Sequence, residues 1–383
     1  MEKSLIQDLT SDKKLLDLIA NHAADLIAVI DPDGRRVWND RAYFAVLGYS
    51  PEEIHGTDSF LEIHPDDLPL VQSTFAYSMQ TGKGQRIEYR MKHRDGHWVY
   101  LESEARIVYD WNGFQKCLLL IARDVTARRE AEAALARVQK RLKQELQEAA
   151  DYVRSLLPAP LTKGPITCEW HFAPSAELGG DAFGYHWIDD DCFSFYIIDA
   201  AGHGVRAALL SVSAANTLRA QSLRRCDFRD PAAVLEAMNR NYQMDRHGEL
   251  FLTLWYGVFC RSTRELRFSS AGHPPALVFT PGAREATPLK SRGLMIGALP
   301  EAHYETETTV LPAGAVLYVF SDGAFELCDQ TGKAWTSRDL ADRLASHPCM
   351  DQGGLDPIIH DLREANGGID FEDDFSLLRF VFV

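Results

Sequence analysis

The chain has 383 residues, of which 46% are hydrophobic, 25% charged and 10% aromatic. This composition excludes disordered and fibrous proteins, and the length exceeds what one hydrophobic core usually organises, so we expect two domains and a connector. The formal net charge of -15 disfavours nucleic acid and anionic membrane surfaces as partners.

The cysteines and the amino terminus indicate a cytoplasmic protein. Seven cysteines are scattered without a C-x-x-C pair, which predicts free thiols in a reducing compartment. Residues 1–19 alternate charged and apolar side chains, so neither a signal peptide nor a membrane span is expected. Four segments are predicted: a helix or cap over 1–14, an α+β domain over 15–125, a helical linker over 126–157 and a second α+β domain over 158–383.

The first domain alternates short strands and helices. Leu26–Ile30 and Arg35–Trp38 flank an Asp-Pro-Asp-Gly turn, which predicts a β-hairpin. Helical segments follow as far as Met79. Alternating apolar residues then predict three closing antiparallel strands: Arg86–Lys92, His97–Arg106 and Gly113–Arg123.

Four motifs in this domain resemble the PAS sensor family: residues 47–53 (LGYSPEE), 63–67 (IHPDD), 94–96 (RDG) and 123–126 (RDVT). The resemblance implies an antiparallel sheet with flanking helices that holds a small ligand or forms a dimer. The ligand is unknown. The cysteine motif of flavin photochemistry is not seen in the sequence, and His64 and His93 are candidate haem ligands with a structural role as the alternative.

The composition of residues 126–157 predicts one continuous helix, because Ala, Glu, Arg, Lys, Gln and Leu dominate and neither Gly nor Pro occurs before Pro158. Apolar residues recur at spacings of three and four, as in the seam of a two-helix coiled coil: Ala131, Leu135, Val138, Leu142, Leu146, Ala150, Val153 and Leu157. We expect a parallel homodimer through this helix. The alternative is a linker helix packed on its own domain.

The carboxy-terminal domain carries acidic residues at the ends of predicted strands. A strand from Asp181 to Ile188 and a strand over Phe193–Ile198 that ends in Asp199 flank a turn centred on Asp190. Antiparallel pairing then places Asp181 opposite Asp199. A bound divalent cation would compensate the repulsion between the two carboxylates.

Two further acids are predicted at the same sheet edge. Strand Val316–Phe320 leads to Asp322, and Asp373 precedes the terminal strand Phe375–Val383, which runs antiparallel to it. Each acid alone is explained more simply by a turn cap, but four together predict a metal centre. Such an oxygen-rich site suits Mg²⁺ or Mn²⁺ better than zinc.

Five motifs in this domain resemble the PPM protein phosphatases (protein phosphatase 2C-like), in the stage II sporulation protein E branch that includes stress-response regulators. They are residues 179–181 (GGD), 199–204 (DAAGHG), 271–275 (AGHPP), 321–323 (SDG) and 373–376 (DDFS), in the family's order. The resemblance implies an α/β/β/α sandwich and a catalytic centre with two Mn²⁺ or Mg²⁺ ions. Two such ions activate water for in-line attack on phosphorus and neutralise the charge of the phosphate.

The resemblance also implies which residues hold the ions. By this resemblance Asp181 and Asp199 contact both ions directly or through water, the carbonyl of Ala200 completes one shell, and Asp322 and Asp373 bind the other ion. Supporting roles are open for two residues, Asp374 and His203. His273, in the AGHPP loop, is expected to shape the fold rather than to catalyse.

The sequence departs from the family at three places. Gly184 stands where an acid is common, three residues after Asp181; Ser270 replaces a frequent Asn; and residues 293–297 (GLMIG) lack a frequent proline. None of these changes removes a predicted metal ligand. We therefore expect an active enzyme.

Together these patterns predict a protein serine/threonine phosphatase that its PAS domain gates through the linker, with residues 156–158 as the switch region. The resemblance implies a phosphorylated anti-sigma-factor antagonist of STAS type as substrate. One alternative is a non-catalytic phosphoprotein-binding module. A PAS-linked histidine kinase is a second, but no Gly-rich nucleotide-binding motif of the kinase type follows the linker.

Overall fold

The computed structural model describes residues 25–109, 116–175, 178–327, 334–347, 354–367, 371 and 373–383. The chain divides into two compact units within one helix, between Arg141 and Leu142. The segment predicted over 1–14 and the predicted strand start at Gly113 lie outside the described residues. Among the helices described, none combines the length and apolar character that crossing a membrane requires.

The first unit contains an antiparallel sheet flanked by short helices. Its elements are β1 (Leu26–Ile30), β2 (Arg36–Asn39), α1 (Ala42–Leu47), α2 (Pro51–Ile54), α3 (Leu68–Thr81), β3 (Arg86–Lys92), β4 (Trp98–Tyr109) and β5 (Lys116–Asp124). The strand order is β2-β1-β5-β4-β3. A capping box starts α2, because Ser50 and Glu53 exchange side chain to backbone hydrogen bonds. The hairpin and the closing strands predicted from the sequence are confirmed.

Helix α4 (Thr126–Ser155) follows β5 directly. Its start is tied to the sheet of the first unit, since Asp124 Oδ1 accepts a hydrogen bond from Thr126 N and Glu88 accepts from Arg128 and Arg129, each at 2.7–2.8 Å. The apolar stripe faces solvent in the single chain: Leu135, Val138 and Leu142 are 59%, 64% and 56% exposed. The coiled coil stays a prediction.

The second unit contains two antiparallel sheets. Its strands are β6 (Ile166–Ala173), β7 (Asp181–Trp187), β8 (Cys192–Ala200), β9 (Leu252–Cys260), β10 (Glu265–Ala271), β11 (Ala276–Phe279), β12 (Thr287–Leu289), β13 (Glu307–Val310), β14 (Ala315–Phe320) and β15 (Phe375–Phe382). Its helices are α5 (Val205–Arg219), α6 (Pro231–Asn241), α7 (Ser337–Ser346) and α8 (Asp356–Ala365). The first sheet has the order β13-β10-β9-β8-β7 and the second β12-β11-β14-β15-β6.

The two sheets pack face to face around an aromatic core that includes Phe195, Trp255 and Phe380. Helices α5 and α6 cover the outer face of the first sheet, and α7 and α8 cover that of the second. Strand β8 is apolar almost throughout because both of its faces are buried, with Phe195 in the inter-sheet core and Tyr196 under the helices. The predicted α/β/β/α sandwich is confirmed.

One pair of cysteines corrects the expectation of free thiols. Cys192 of β8 lies directly opposite Cys260 of β9, and the two form a disulfide. Their Cα atoms are 4.3 Å apart, a separation that adjacent antiparallel strands provide. The prediction was therefore wrong for this pair, because spacing along the sequence does not reveal which strands become neighbours.

Candidate metal centre

The hairpin of β7 and β8 places Asp181 directly opposite Asp199. Its turn is fixed by Asp189, whose Oδ1 accepts from the backbone N–H groups of Asp191 and Cys192 at 2.7 and 2.8 Å. These bonds, with a further one from Arg229, lower the pKa of Asp189 to about 2. The register predicted from the three-aspartate turn is confirmed.

The second sheet contributes another acidic pair. Asp322 opens a short 3₁₀ turn after β14, and Asp373 precedes β15. Because Phe320 at the end of β14 pairs with Leu377 near the start of β15, both acids lie at the same end of these two neighbouring strands. Carboxylate oxygens of Asp322, Asp373 and Glu326 all lie within 4.8 Å of one another.

Glu326 was not singled out from the sequence. Its backbone N–H donates to the carbonyl of Asp322 at 2.8 Å, so the turn closes like a turn of helix and brings two acids four residues apart to one side. The spacing of four after a strand end is the signal that would have found it.

Acids of the second sheet contribute to the raised pKa of Asp199 in the first. Burial raises the pKa of Asp199 to about 7, with repulsion from Asp322 and Asp373 contributing. Burial also raises the pKa of Asp322 to about 6, followed by repulsion from Glu326 and Asp373. Asp199 of the first sheet is therefore close enough to Asp322 and Asp373 of the second to be repelled by them.

Asp181 is the most deeply buried of these acids, with 2% of its surface exposed. Burial, then repulsion from Asp199, raises its pKa well above the usual range. Its Oδ2 accepts from Ser376 Oγ at 2.6 Å, whereas its Oδ1 has no hydrogen-bond partner among the described residues. A buried carboxylate oxygen without a donor is costly, and a divalent cation would compensate it. The all-oxygen donor set therefore fits hard ions such as Mg²⁺ or Mn²⁺.

Asp374 fixes the loop that leads into Asp181. Its carboxylate accepts hydrogen bonds from the backbone N–H and the hydroxyl of Ser175, at 2.8 and 3.0 Å, and from the N–H of Gly180. A Cβ at Gly179 would lie 2.7 Å from the same carboxylate, so only glycine fits there. The glycines of the GGD motif and the second aspartate of the DDFS motif thus contact each other directly.

Two other predicted site residues differ from Asp374 in their surroundings. Ala200 ends β8 in a fully buried position, and its N–H donates to the carbonyl of Gly180 at 3.1 Å. His203 lies in the loop between β8 and α5 with an exposed side chain. Of the two residues with open supporting roles, Asp374 is therefore the one whose hydrogen bonds reach the residue next to Asp181.

Gly184, which replaces the family's usual acid, faces Tyr196 across the hairpin. A Cβ at Gly184 would lie 2.6 Å from Cζ of Tyr196, so the tyrosine ring occupies the space that a side chain would need. The Tyr196 hydroxyl donates to the carbonyl of Ala215 in α5 at 3.0 Å. The departure at Gly184 is therefore matched by a bulky residue on the neighbouring strand.

The first unit has a cavity of about 50 Å³ between its sheet and α3. Two hydroxyls in its lining, those of Ser59 and Ser78, have no hydrogen-bond partner among the described residues and are 8% and 1% exposed. The cationic side chain in the lining, Arg36, is neutralised by Glu62 at 2.7 Å. Neither candidate haem ligand, His64 or His93, lines this cavity.

Comparison with known proteins decides the family. The model described as stage II sporulation protein E (SpoIIE) matches residues 189–382, which is half of the chain. The chain belongs to the SpoIIE family. The model described as PAS fold matches residues 36–122.

Two curated relatives of this SpoIIE family member come from Bacillus subtilis (strain 168). Phosphoserine phosphatase RsbU is 25% identical over 249 residues, covering 63% of this chain and 71% of RsbU. Phosphoserine phosphatase RsbP is 25% identical over 226 residues, covering 58% of this chain and only 52% of RsbP. The chain thus spans about half of RsbP.

Among solved structures, the SiaA-PP2C domain of Pseudomonas aeruginosa matches with a TM-score of 0.55 and 25% identity. The match covers 64% of this chain and 99% of that domain. The second unit is accordingly a serine/threonine protein phosphatase domain of the metal-dependent PP2C type, and the first unit is a PAS domain.

Replacing Asp199 should stabilise the metal-free protein at alkaline pH. A carboxyl whose folded-state pKa lies above its unfolded value favours the folded state at low pH, and this contribution is lost as the pH rises to about 7. In EDTA at pH 8, Asp199→Asn should therefore raise the free energy of unfolding by about 1–3 kcal/mol, with little change at pH 4.

Denaturant unfolding at both pH values tests this expectation. Asp189→Asn is the control with the opposite sign, because the pKa of Asp189 is lowered and its charged form stabilises the fold. Equal effects of Asp199→Asn at pH 4 and pH 8 would contradict the crowding of carboxylates.

The contact between Gly184 and Tyr196 makes a second prediction. Gly184→Ala should lower the free energy of unfolding by about 1–3 kcal/mol, because the added methyl group overlaps the tyrosine ring. In the Tyr196→Val background the same change should cost much less. Urea denaturation of the four proteins of this double-mutant cycle measures the coupling, and strictly additive losses would show that the ring does not fill this space.

Proposed function

We propose that this protein is a cytoplasmic phosphatase with two Mn²⁺ or Mg²⁺ ions that removes phosphate from a phosphoserine on a small STAS-type protein, an anti-sigma-factor antagonist. The observation that carries the proposal is the buried, unpartnered oxygen of Asp181 beside Asp199, in a cluster of acids from two sheets. The printed names of RsbU and RsbP support phosphoserine as the bond that is hydrolysed.

In this proposal the residues of the chain hold and orient, and none forms a bond to phosphorus. Asp181, Asp199, Ala200, Asp322 and Asp373 would hold the ions, which when bound supply positive charge and activate a water molecule. Ser376 donates a hydrogen bond to Oδ2 of Asp181 and so orients the carboxylate. The orientation of the second carboxylate oxygen, Oδ1, is thereby fixed as well. Burial of Asp181 keeps bulk water from competing with the hydrogen bond from Ser376.

Loss of a central acid should abolish hydrolysis. We expect Asp199→Asn and Asp322→Asn each to lower the Mn²⁺-dependent hydrolysis of p-nitrophenyl phosphate by at least about 100-fold, since each removes a charge that the ions require. Asp190→Asn, an exposed acid at the tip of the hairpin between β7 and β8, is the matched control and should leave the rate unchanged.

The same assay separates the alternatives. A non-catalytic phosphoprotein-binding module would bind a phosphorylated partner without turnover, and calorimetry would find no Mn²⁺ binding at millimolar concentrations. Phosphate release without ATP consumption distinguishes the phosphatase from a histidine kinase. Hydrolysis that is unchanged in Asp199→Asn and Asp322→Asn would reject the proposed centre.

We further propose that the linker transmits the input of the PAS domain through residues 156–158. Three hydrogen bonds attach this region to the phosphatase domain. Arg219 of α5 donates to the carbonyl of Leu156 at 3.2 Å, Trp170 of β6 to that of Pro158 at 2.9 Å, and Tyr185 of β7 to that of Ala159 at 2.7 Å.

These attachments lead towards the metal centre. Helix α5 follows the DAAGHG loop directly, and β7 begins with Asp181. A displacement of the linker end would therefore act on elements that bear or adjoin the metal ligands.

The linker is proposed to dimerise through its apolar stripe. Leu142→Lys should convert the dimer to a monomer, because it places a charge in the middle of the seam. Gln144→Lys adds the same charge two residues on, away from the stripe, and should leave the dimer intact. Sedimentation equilibrium measures both, and a wild-type chain that is monomeric at micromolar concentration would contradict this part of the proposal.

The cavity of the PAS domain is proposed to take a small uncharged ligand. Its walls are mostly apolar, the buried hydroxyls of Ser59 and Ser78 have no hydrogen-bond partner among the described residues, and Arg36 is already paired. Neutral small molecules that bind should raise the melting temperature, and Ser78→Leu should abolish the rise while the exposed Ser73→Leu should not. Stabilisation by a dicarboxylate that persists in Ser78→Leu would contradict this ligand class.

A further inference from the structure

His273 lies where the chain crosses from one sheet of the phosphatase domain to the other. Residues 272–275 connect β10 of the first sheet to β11 of the second. The turn is fixed by Ser270, whose Oγ donates to the carbonyl of His273 at 2.9 Å and accepts from its N–H at 3.2 Å. The imidazole is 7% exposed, so its ring nitrogens need partners inside the protein.

Each ring nitrogen of His273 has one partner. Nε2 lies 3.0 Å from the carbonyl of Phe320, and because a carbonyl only accepts, Nε2 carries the hydrogen. Burial lowers the pKa of His273 to about 4, so the ring is neutral at pH 7 and Nδ1 is an acceptor. Thr253 therefore donates its hydroxyl hydrogen to Nδ1, at 2.7 Å.

The two partners belong to different sheets and adjoin different metal-site acids. Thr253 in β9 is the cross-strand neighbour of Asp199 in β8. Phe320 ends β14, two residues before Asp322. One imidazole therefore connects the strand beside the first acidic pair to the strand end that carries the second.

We propose that His273 is a positioning residue that sets the spacing between the acids of the first sheet, Asp181 and Asp199, and those of the second, Asp322 and Asp373. The inference rests on the proposed two-ion centre and deepens it, since it names a residue on which the geometry of that centre depends. A site assembled from two sheets needs a fixed distance between them, because ligand positions must hold to within about 0.5 Å.

The contact is suited to this task because both ends are directional. A purely apolar contact between the sheets would tolerate sliding, whereas a ring with one donor and one acceptor fixes the separation and the relative height of the two strands. On the other side of the site, Ser376 of β15 donates to Asp181 of β7, so a second polar link also joins the sheets at this edge.

Two substitutions test the two hydrogen bonds of the His273 ring separately. His273→Asn retains a polar group near the position of Nδ1 and can keep the bond to Thr253, whereas His273→Gln reaches towards Phe320 and can keep that bond instead. Either change should raise the Mn²⁺ concentration for half-maximal activity by about 10- to 100-fold, the range typical for groups that orient metal ligands. Activity at saturating Mn²⁺ should fall less than the Mn²⁺ affinity.

Controls separate positioning from simple loss of stability. His186→Gln changes a half-buried histidine near the far end of β7 and should leave the Mn²⁺ midpoint unchanged. Thr253→Val removes one hydrogen bond with almost no change of volume and should shift the midpoint by a few-fold, which keeps the test valid if the His273 variants fold poorly. Melting temperatures in EDTA report the stability of each variant.

Electron paramagnetic resonance of the protein loaded with Mn²⁺ gives a readout that does not depend on activity. Spin coupling between two Mn²⁺ ions depends on their separation, so the coupled spectrum should change in the His273 variants and not in His186→Gln. If those variants lower only the melting temperature, with an unchanged midpoint and spectrum, the positioning role is overturned. A wild-type protein that binds Mn²⁺ in a coupled pair but hydrolyses nothing would refute the proposed function and not this inference.

Discussion

Repulsion among carboxylates that crowd into one site is the constraint on which the phosphatase domain depends. Asp181 and Asp199 face each other on adjacent strands, and Asp322 and Asp373 are brought to the same edge from the second sheet. Burial and then repulsion from neighbouring acids raise the pKa values of Asp199 and Asp322. Divalent cations are the compensation that such a site accepts, so binding of the ions and stability of the fold are linked.

The polar links around the acids explain why the motifs contain residues that bind no ion. Asp374 holds the loop at Gly180, Ser376 orients Asp181, and His273 connects the two sheets. Each replaces freedom of the backbone or of a side chain with a directed hydrogen bond. A metal site formed by separate strands gains its geometry from such contacts rather than from its ligands alone.

Directed polar contacts also fix the two ends of the linker helix. The start of α4 is tied to the PAS sheet by the ion pairs of Glu88 with Arg128 and Arg129, and the chain after α4 is tied to the phosphatase domain by Arg219, Trp170 and Tyr185. Each end of the linker is thus attached to the domain beside it. A change at either attachment has a physical route into that domain, which is what gating of an enzyme by a sensor requires.

The sequence by itself determined the strands, the helical linker and the acids at the strand ends, because these depend on local signals. The three-aspartate turn sets the register that pairs Asp181 with Asp199, and this followed from spacing alone. Tertiary structure alone decided which segments that are distant in sequence become neighbours. The pairing of Cys192 with Cys260 and the hydrogen bonds of His273 to Thr253 and Phe320 arise between segments distant in sequence. Local propensity specifies elements and their ends, whereas contacts across strands and sheets depend on the packing of the whole domain.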